Sequence, residues 1–207
     1  MAQIFQLPVA DVFQENCYIY GDPQTRHAVL IDPGAQPEKI KAWVDQNGWT
    51  IDRILLTHGH FDHTGAVNAL REIWDIPVYA KNDMYLLDPY LNLSEANNRY
   101  VVVKNAHHFH EGENVLPDTM SGTLQVISTP GHTPDSVTFY DPHSHVAFVG
   151  DAMFQGQPGI WNFPGGNREE LLNSIREKLL TLPDNTLLLS GHSAPTTPQA
   201  ERPLYNY

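Results

Sequence analysis

Between an apolar run, Ile54-Leu55-Leu56, and a run with helical spacing that starts at Ala66, the chain reads Thr57-His58-Gly59-His60-Phe61-Asp62-His63. Four of these seven residues, His58, His60, Asp62 and His63, are able to ligate metal. The apolar run reads as a buried strand, and Ala66-Val67-Asn68-Ala69-Leu70-Arg71-Glu72-Ile73 reads as a helix. The ligand-type residues therefore fall on a strand-to-helix loop, where α/β proteins place their functional groups. Alternate residues of an extended chain share a face, so His58, His60 and Asp62 converge if the loop leaves the strand extended. His63 then projects differently and is better placed for a second ion. Imidazole with carboxylate suits zinc, iron, manganese or cobalt, and no thiolate is offered to a softer metal.

Three later segments repeat one design, an apolar strand whose terminal turn carries a ligand-type residue. Val126-Ile127-Ser128-Thr129-Pro130-Gly131 ends in His132, Ala147-Phe148-Val149-Gly150 in Asp151, and Leu187-Leu188-Leu189-Ser190-Gly191 in His192. The glycine before each would let the backbone approach a crowded centre. Together with the first cluster this makes seven candidate ligands from four strand ends. That is too many for one tetrahedral ion and suits two ions sharing a carboxylate.

The remaining strands and helices fit the same frame. Strands are expected at residues 3–7, 17–21 and 27–31, with a turn at Asp22-Pro23 that makes them a meander. A helix over residues 37–47 has Ile40, Trp43 and Val44 at helical spacing and Gly48 as its stop. Strands follow at 51–56, 77–80, 124–128, 137–140, 146–149 and 187–190. A helix over 168–180 takes Asn167 as N-cap, with Glu169 and Glu170 in its first turn. Residues 81–105 have no clear pattern beyond a helical turn at 84–87 and are a candidate cover for the site. The run His107, His108, His110 reads as a surface loop with adventitious metal affinity.

Composition excludes several functions. A length of 207 residues suits one domain, residues 1–207, and 41% hydrophobic content suffices for a core. A net charge of −12 opposes an electrostatic grip on nucleic acid or on an anionic membrane surface. The single cysteine, Cys17, allows no intramolecular disulfide and sits in a strand-like run as a core residue. No leader or membrane span is expected, so the expectation is a cytoplasmic protein with a small-molecule substrate.

The motifs Thr57-His58-Gly59-His60-Phe61-Asp62-His63, Thr129-Pro130-Gly131-His132-Thr133, Gly150-Asp151 and Gly191-His192, with Leu30-Ile31-Asp32-Pro33-Gly34, resemble the metallo-β-lactamase-fold superfamily. Within it they are most similar to the glyoxalase II group, over nearly the whole chain and in the same order. The resemblance implies an α/β protein, an αββα metallo-β-lactamase-type sandwich with metals at one edge of its two sheets. It implies that His58, His60 and His132 hold a first ion, that Asp62, His63 and His192 hold a second, and that Asp151 bridges them. Asp32 would then support the ligands from behind. Two divalent ions are implied, zinc first, with iron or manganese as alternatives.

Two such ions lower the pKa of a water between them, giving hydroxide near neutral pH that attacks a carbonyl carbon. Asp62 is the group expected to orient it or carry its proton. The expected activity is hydrolysis of an acyl thioester, of the hydroxyacylglutathione hydrolase type. The alternatives are a mononuclear iron persulfide dioxygenase-like enzyme or a lactonase or other ester hydrolase of the same fold. Asp151, where zinc β-lactamases use Cys, argues against antibiotic hydrolysis. His60, where oxygen-reducing di-iron relatives carry Glu, argues against that activity. The chain resembles short forms without the helical C-terminal domain that helps bind glutathione. It departs from relatives at Ile160 and Asn162, where a basic and an acidic residue are usual. Ile160, Trp161 and Asn162 are thus expected at the substrate, with Ile160 and Trp161 forming an apolar wall.

Overall fold

The computed structural model describes residues 1–205. It opens with an antiparallel meander of β1 (Gln3–Ala10), β2 (Gln14–Gly21) and β3 (His27–Ile31). β1 and β2 run further than the apolar pattern suggests, because pairing continues to Ala10 opposite Gln14. α1 (Pro37–Asn47) has Pro37 in its first turn, buries Ile40 and Val44, and is closed by Gly48 at φ 64°. The chain continues through β4 (Thr50–Leu55), α2 (Phe61–Thr64), α3 (Val67–Trp74) and β5 (Val78–Ala80). α4 (Met84–Leu87) is the expected helical turn, and a 3-10 turn (Glu95–Asn97) leads towards β6 (His107–His108). These strands form one six-stranded sheet in sequence order, parallel from β3 to β6. Parallel neighbours need crossover connections, which α1 and α3 supply.

The second half contributes β7 (Gln125–Ser128), β8 (Val137–Asp141) and β9 (Val146–Gly150), then a small hairpin of β10 (Met153–Phe154) and β11 (Gln157–Pro158). α5 (Arg168–Ser174) follows, then β12 (Leu187–Ser190) and α6 (Pro198–Tyr205). The sheet order is β12-β9-β8-β7, antiparallel except for the parallel pair β12 and β9. The strands β7, β9 and β12 therefore point the same way, and their C-terminal ends share an edge.

Alternation along the strands decides which sheet face meets which layer. Tyr18, Tyr20, Val29, Ile31 and Leu55 from the first sheet pack against Val126, Phe139, Phe148 and Leu189 from the second. Their neighbours Cys17, Ile19, Ala28, Leu30 and Ile54 face outward to Ile40, Val44, Val67 and Leu70 of the helices. On the far side, Ala147, Val149 and Leu188 pack under Leu171, Ile175, Leu179 and Tyr205. Three buried clusters between four layers make the αββα sandwich.

Two elements differ from the sequence reading. The expected helix over 168–180 is α-helical only to Ser174, then widens into a π-turn at Ile175–Leu179. Its start holds as expected, the Asn167 side chain accepting from the Glu170 amide at 3.2 Å. α6 carried no sequence expectation, since Pro203 interrupts its helical signal; it is fixed by burial of Tyr205 and Glu201. Among the described residues no helix is long and apolar enough to cross a membrane.

Candidate metal centre

All the motif-bearing turns meet at the edge where the parallel strands of both sheets end. Asp32 follows β3, Thr57 and His58 follow β4, His132 follows β7, Asp151 follows β9, and His192 follows β12. Open α/β sheets bind their ligands at such carboxyl ends. The two sheets are stitched together there. The Asn16 amide donates to Gly191 O at 2.8 Å, the Tyr18 hydroxyl to Ser190 O at 2.7 Å, and the Val137 amide to Thr57 O at 2.8 Å.

The loop does not stay extended through Asp62, as alternation alone suggests. His60 is still extended, at φ −63° and ψ 148°, but it caps α2, and the chain turns helical from Phe61. The Thr64 hydroxyl donates to His60 O at 3.1 Å and fixes that turn. Asp62 is thereby swung away from His58 and His60. Two groups result, His58 with His60 and His132, and Asp62 with His63 and His192, each with ligand atoms within 4.8 Å of one another. Asp151 lies between them: its Oδ1 is 3.4 Å from His63 Nε2, and its Oδ2 is 3.7 Å from His132 Nε2 and 3.5 Å from His192 Nε2.

The hydrogen bonds behind the rings fix which nitrogens face inward. A carbonyl only accepts, so His132 Nδ1 donates to Ile160 O at 2.6 Å and His192 Nδ1 to Gln14 O at 2.6 Å. His63 Nδ1 donates to Asp32 Oδ2 at 3.0 Å. The Thr57 hydroxyl gives its proton to Asp32 Oδ2 at 2.5 Å, so His58 Nδ1, 3.1 Å away, donates to Thr57. Each of these four rings is thus left with Nε2 directed at the centre. Ring nitrogens then crowd one another at the centre: His60 Nδ1 is 2.9 Å from His132 Nε2 and 3.2 Å from His58 Nε2, and His63 Nε2 is 3.3 Å from His192 Nε2. Asp151 Oδ1 is buried without a hydrogen-bond partner among the described residues. Such an arrangement fits divalent cations.

The electrostatics divide the two groups: the first three histidines are held neutral, while His63 and His192 are drawn towards their charged forms by the carboxylates around them. Burial lowers His58, His60 and His132, and neighbouring imidazolium charge adds to the effect for each, so their lone pairs stay free. Burial alone would lower His63 and raise Asp151. The Asp151 and Asp32 carboxylates override it for His63, which is raised. The His63 and His192 charges override it for Asp151, which is held well below the usual carboxylate range. A third grouping, Asp32 with His58 and His63, is also close enough for metal. There, however, the nitrogens are the outward ones already engaged by Thr57 and Asp32, so it reads as the support for the other two groups.

Of the three glycines expected to admit the backbone, Gly191 does so most directly: a Cβ on it would lie 2.5 Å from both Asp151 Oδ1 and His63 Cε1. Gly131, at φ 131°, instead makes room for Leu171 of α5. Asp32 is buried, adopts φ 50°, and accepts from the Thr57 amide at 2.8 Å as well. Sequence reasoning missed Glu15. It is buried, with Oε1 3.8 Å from His63 Nδ1 and neither carboxylate oxygen hydrogen-bonded among the described residues. Burial pushes its carboxyl well above the usual range, against the pull of His63. Its signal was a lone acid at the head of a strand otherwise buried along its length.

A cleft of about 510 Å³ opens on the centre, walled by Val12, Phe13, Phe61, Leu93, Phe154 and Phe163. The unpatterned stretch does reach it: Leu93 lines the cleft, and Tyr85 packs its ring 5.8 Å from that of His60. Ile160 also lines the cleft, whereas Trp161 and Asn162 line an adjoining trough. The histidines of the 107–110 run lie elsewhere. His107 stacks on Tyr79 at 5.0 Å, and His108 Nε2 is 3.2 Å from Asp83 Oδ1, both on the exposed edge strand β6. Cys17 is buried in the outer core, and burial pushes its thiol well above the ordinary range, which makes it a packing residue.

An αββα sandwich with a His and Asp cluster at the edge of its sheets is an arrangement suited to metal-dependent hydrolysis. The family model of the metallo-beta-lactamase superfamily matches residues 10–192, and the chain belongs to that superfamily. It is 40% identical to a probable metallo-hydrolase, YqgX, of Bacillus subtilis, over 97% of this chain and 96% of that one. It is 33% identical to the hydroxyacylglutathione hydrolase GloC of Haemophilus influenzae, over 92% and 91%. Among solved structures it resembles BLEG-1 B3 metallo-beta-lactamase, with a TM-score of 0.89 and 37% identity over 96% and 95% of the chains. It also resembles TTHA1623 in a di-iron-bound form, with a TM-score of 0.85 and 35% identity over 96% of each chain.

Proposed function

We propose that this protein is a dinuclear metal-dependent thioesterase of the hydroxyacylglutathione hydrolase type, with zinc as its first candidate metal. The observation that carries the reading is the pair of ligand groups facing Asp151, with four histidine rings each locked by an acceptor or hydroxyl behind them. His58, His60 and His132 would hold one ion, Asp62, His63 and His192 the other, and Asp151 would span them. A single-ion centre, as in a mononuclear oxygenase, needs only the first group, so the number of ions bound separates the two readings. The likeness to the Haemophilus influenzae hydroxyacylglutathione hydrolase supports a thioester as the bond that is cut.

When bound, two divalent ions supply an acidified water and an electrophile for the carbonyl oxygen. The chain supplies the rest. Asp62 Oδ2, 3.2 Å from His192 Nε2, stands at the mouth of the centre, where it orients a nucleophilic water or takes its proton. The apolar walls keep bulk water off the reacting carbonyl. No serine or cysteine nucleophile is required.

Metal analysis of reconstituted protein, run beside a hydrolysis panel of an acyl thioester, a lactone and a β-lactam, tests the reading. The expected result is two equivalents of metal with the thioester turned over fastest. One equivalent at saturation, or faster β-lactam cleavage, would overturn it.

A further inference from the structure

The metal-facing cleft has an annex. A trough of about 560 Å³ lies beyond Phe154 and Ile160, and these two residues line both spaces. Pro158 and Trp161 form the rest of its apolar wall, with the amides of Gln157 and Asn162 as its polar members. Among the described residues no charged side chain lines the trough, and the charged side chains lining the cleft, apart from its histidines, are Asp62 and Asp151. The Arg168 guanidinium does reach this wall, but it lies over the Trp161 ring, 5.5 Å from the centroid, and is followed by Glu169 and Glu170. The wall is also fixed relative to the centre, because the Ile160 carbonyl holds His132 Nδ1 at 2.6 Å while its side chain faces the substrate space.

We propose that the trough is a subsite for an uncharged, apolar arm of the thioester, and that the enzyme discriminates against anionic thiols such as glutathione. The inference rests on the thioesterase reading above, keeping the thioester bond and replacing the glutathione half by a neutral thiol. An arm long enough to reach past Phe154 and Ile160 exchanges water for hydrocarbon, worth roughly fourfold in binding per buried methylene. A carboxylate placed there meets hydrocarbon, and the guanidinium near the wall, Arg168, is already stacked on Trp161 with Glu169 and Glu170 next to it in the chain. A chain with net charge −12 adds a general repulsion of anions. Geometry at Ile160 therefore links substrate choice to the metal shell without using a charged residue.

The test uses two hydrolysis-inert thioethers that share a hexyl group, S-hexyl-N-acetylcysteamine and S-hexylglutathione. Binding to the metal-loaded protein is read by tryptophan fluorescence, with Trp161→Phe assigning the signal. The matching hexanoyl thioesters are compared by kcat/KM. The neutral ligand is expected to bind at least about tenfold more tightly, and its thioester to react at least about tenfold faster. Ile160→Lys, which keeps the main-chain carbonyl on His132, should retain full metal content and shift the ratio at least about tenfold towards glutathione. Ile160→Met should leave the preference as it is. Equal or stronger binding of the glutathione compound, or no shift in Ile160→Lys, overturns the subsite. If the neutral thioether binds but no thioester is hydrolysed, the subsite stands and the thioesterase reading fails. If glutathione thioesters are hydrolysed in preference, the reverse holds.

Discussion

Asp32 holds His63 from behind, its Oδ2 lying 3.0 Å from His63 Nδ1, while the same carboxylate takes the amide and hydroxyl protons of Thr57. One buried acid thus fixes the ring of a candidate ligand and the end of the strand that carries the first His pair. Carboxylates behind metal-binding histidines set ring orientation and basicity, and their loss typically weakens metal binding 10–100-fold.

Asp32→Asn keeps the size of the side chain but presents an amide where His63 needs an acceptor. The expected outcome is a fold of near-native stability, with metal affinity at the Asp62, His63, His192 group lowered by roughly 10–100-fold. Competitive titration with a metal chelator reads this directly. Unchanged affinity of both ions would show that Asp32 acts only on the backbone.

Asp135 gives the stability a pH dependence. Burial raises its carboxyl to about 6, opposed by the Thr133 hydroxyl, the Gly59 amide and the charge of Lys81, and its Oδ1 has no hydrogen-bond partner among the described residues. The folded protein therefore binds this proton more tightly than the unfolded chain does. The stabilisation is fully present below the unfolded value of 3.8 and is lost as pH rises through about 6. Keeping the charge buried at pH 8 costs roughly 2–4 kcal/mol. Asp135→Asn should consequently gain stability relative to the parent as pH goes from 5 to 8, measured by urea denaturation of the metal-loaded forms. A difference that is flat with pH would refute the assignment.

Cys17 packs in the outer core beside Ile19 and Leu30 and is fully buried. Iodoacetamide should leave it unmodified in the native protein and alkylate it after denaturation. Cys17→Ala should retain kcat and lose about 1 kcal/mol of stability through the small cavity it opens. Loss of activity with retained metal content would give the thiol a part in the mechanism.

The sequence was most legible where chemistry and strand ends coincide. Each apolar strand that ends in His or Asp is a local signal, because a buried strand is marked by its own residues and its turn by glycine. The fold class, α1 and the N-cap of α5 were readable for the same reason. The path of the loop at Phe61 was not, since only the cap at His60 and the bond from Thr64 break the alternation that His58 and His60 begin. Glu15, Tyr85 and Leu93 were equally hidden. Their roles come from elements that approach from elsewhere in the chain, with no periodic pattern to announce them.

The sequence by itself determined that seven ligand-type residues stand at strand ends and that one charge sign dominates. Both are properties of residue order alone. The tertiary structure decided how those residues divide into two groups and which imidazole nitrogen faces inward, because the acceptors that set the tautomers, Asp32, Ile160 O and Gln14 O, come from distant strands and loops. It also decided that Ile160 joins the cleft to the trough, a proximity that depends on where the second sheet places its hairpin.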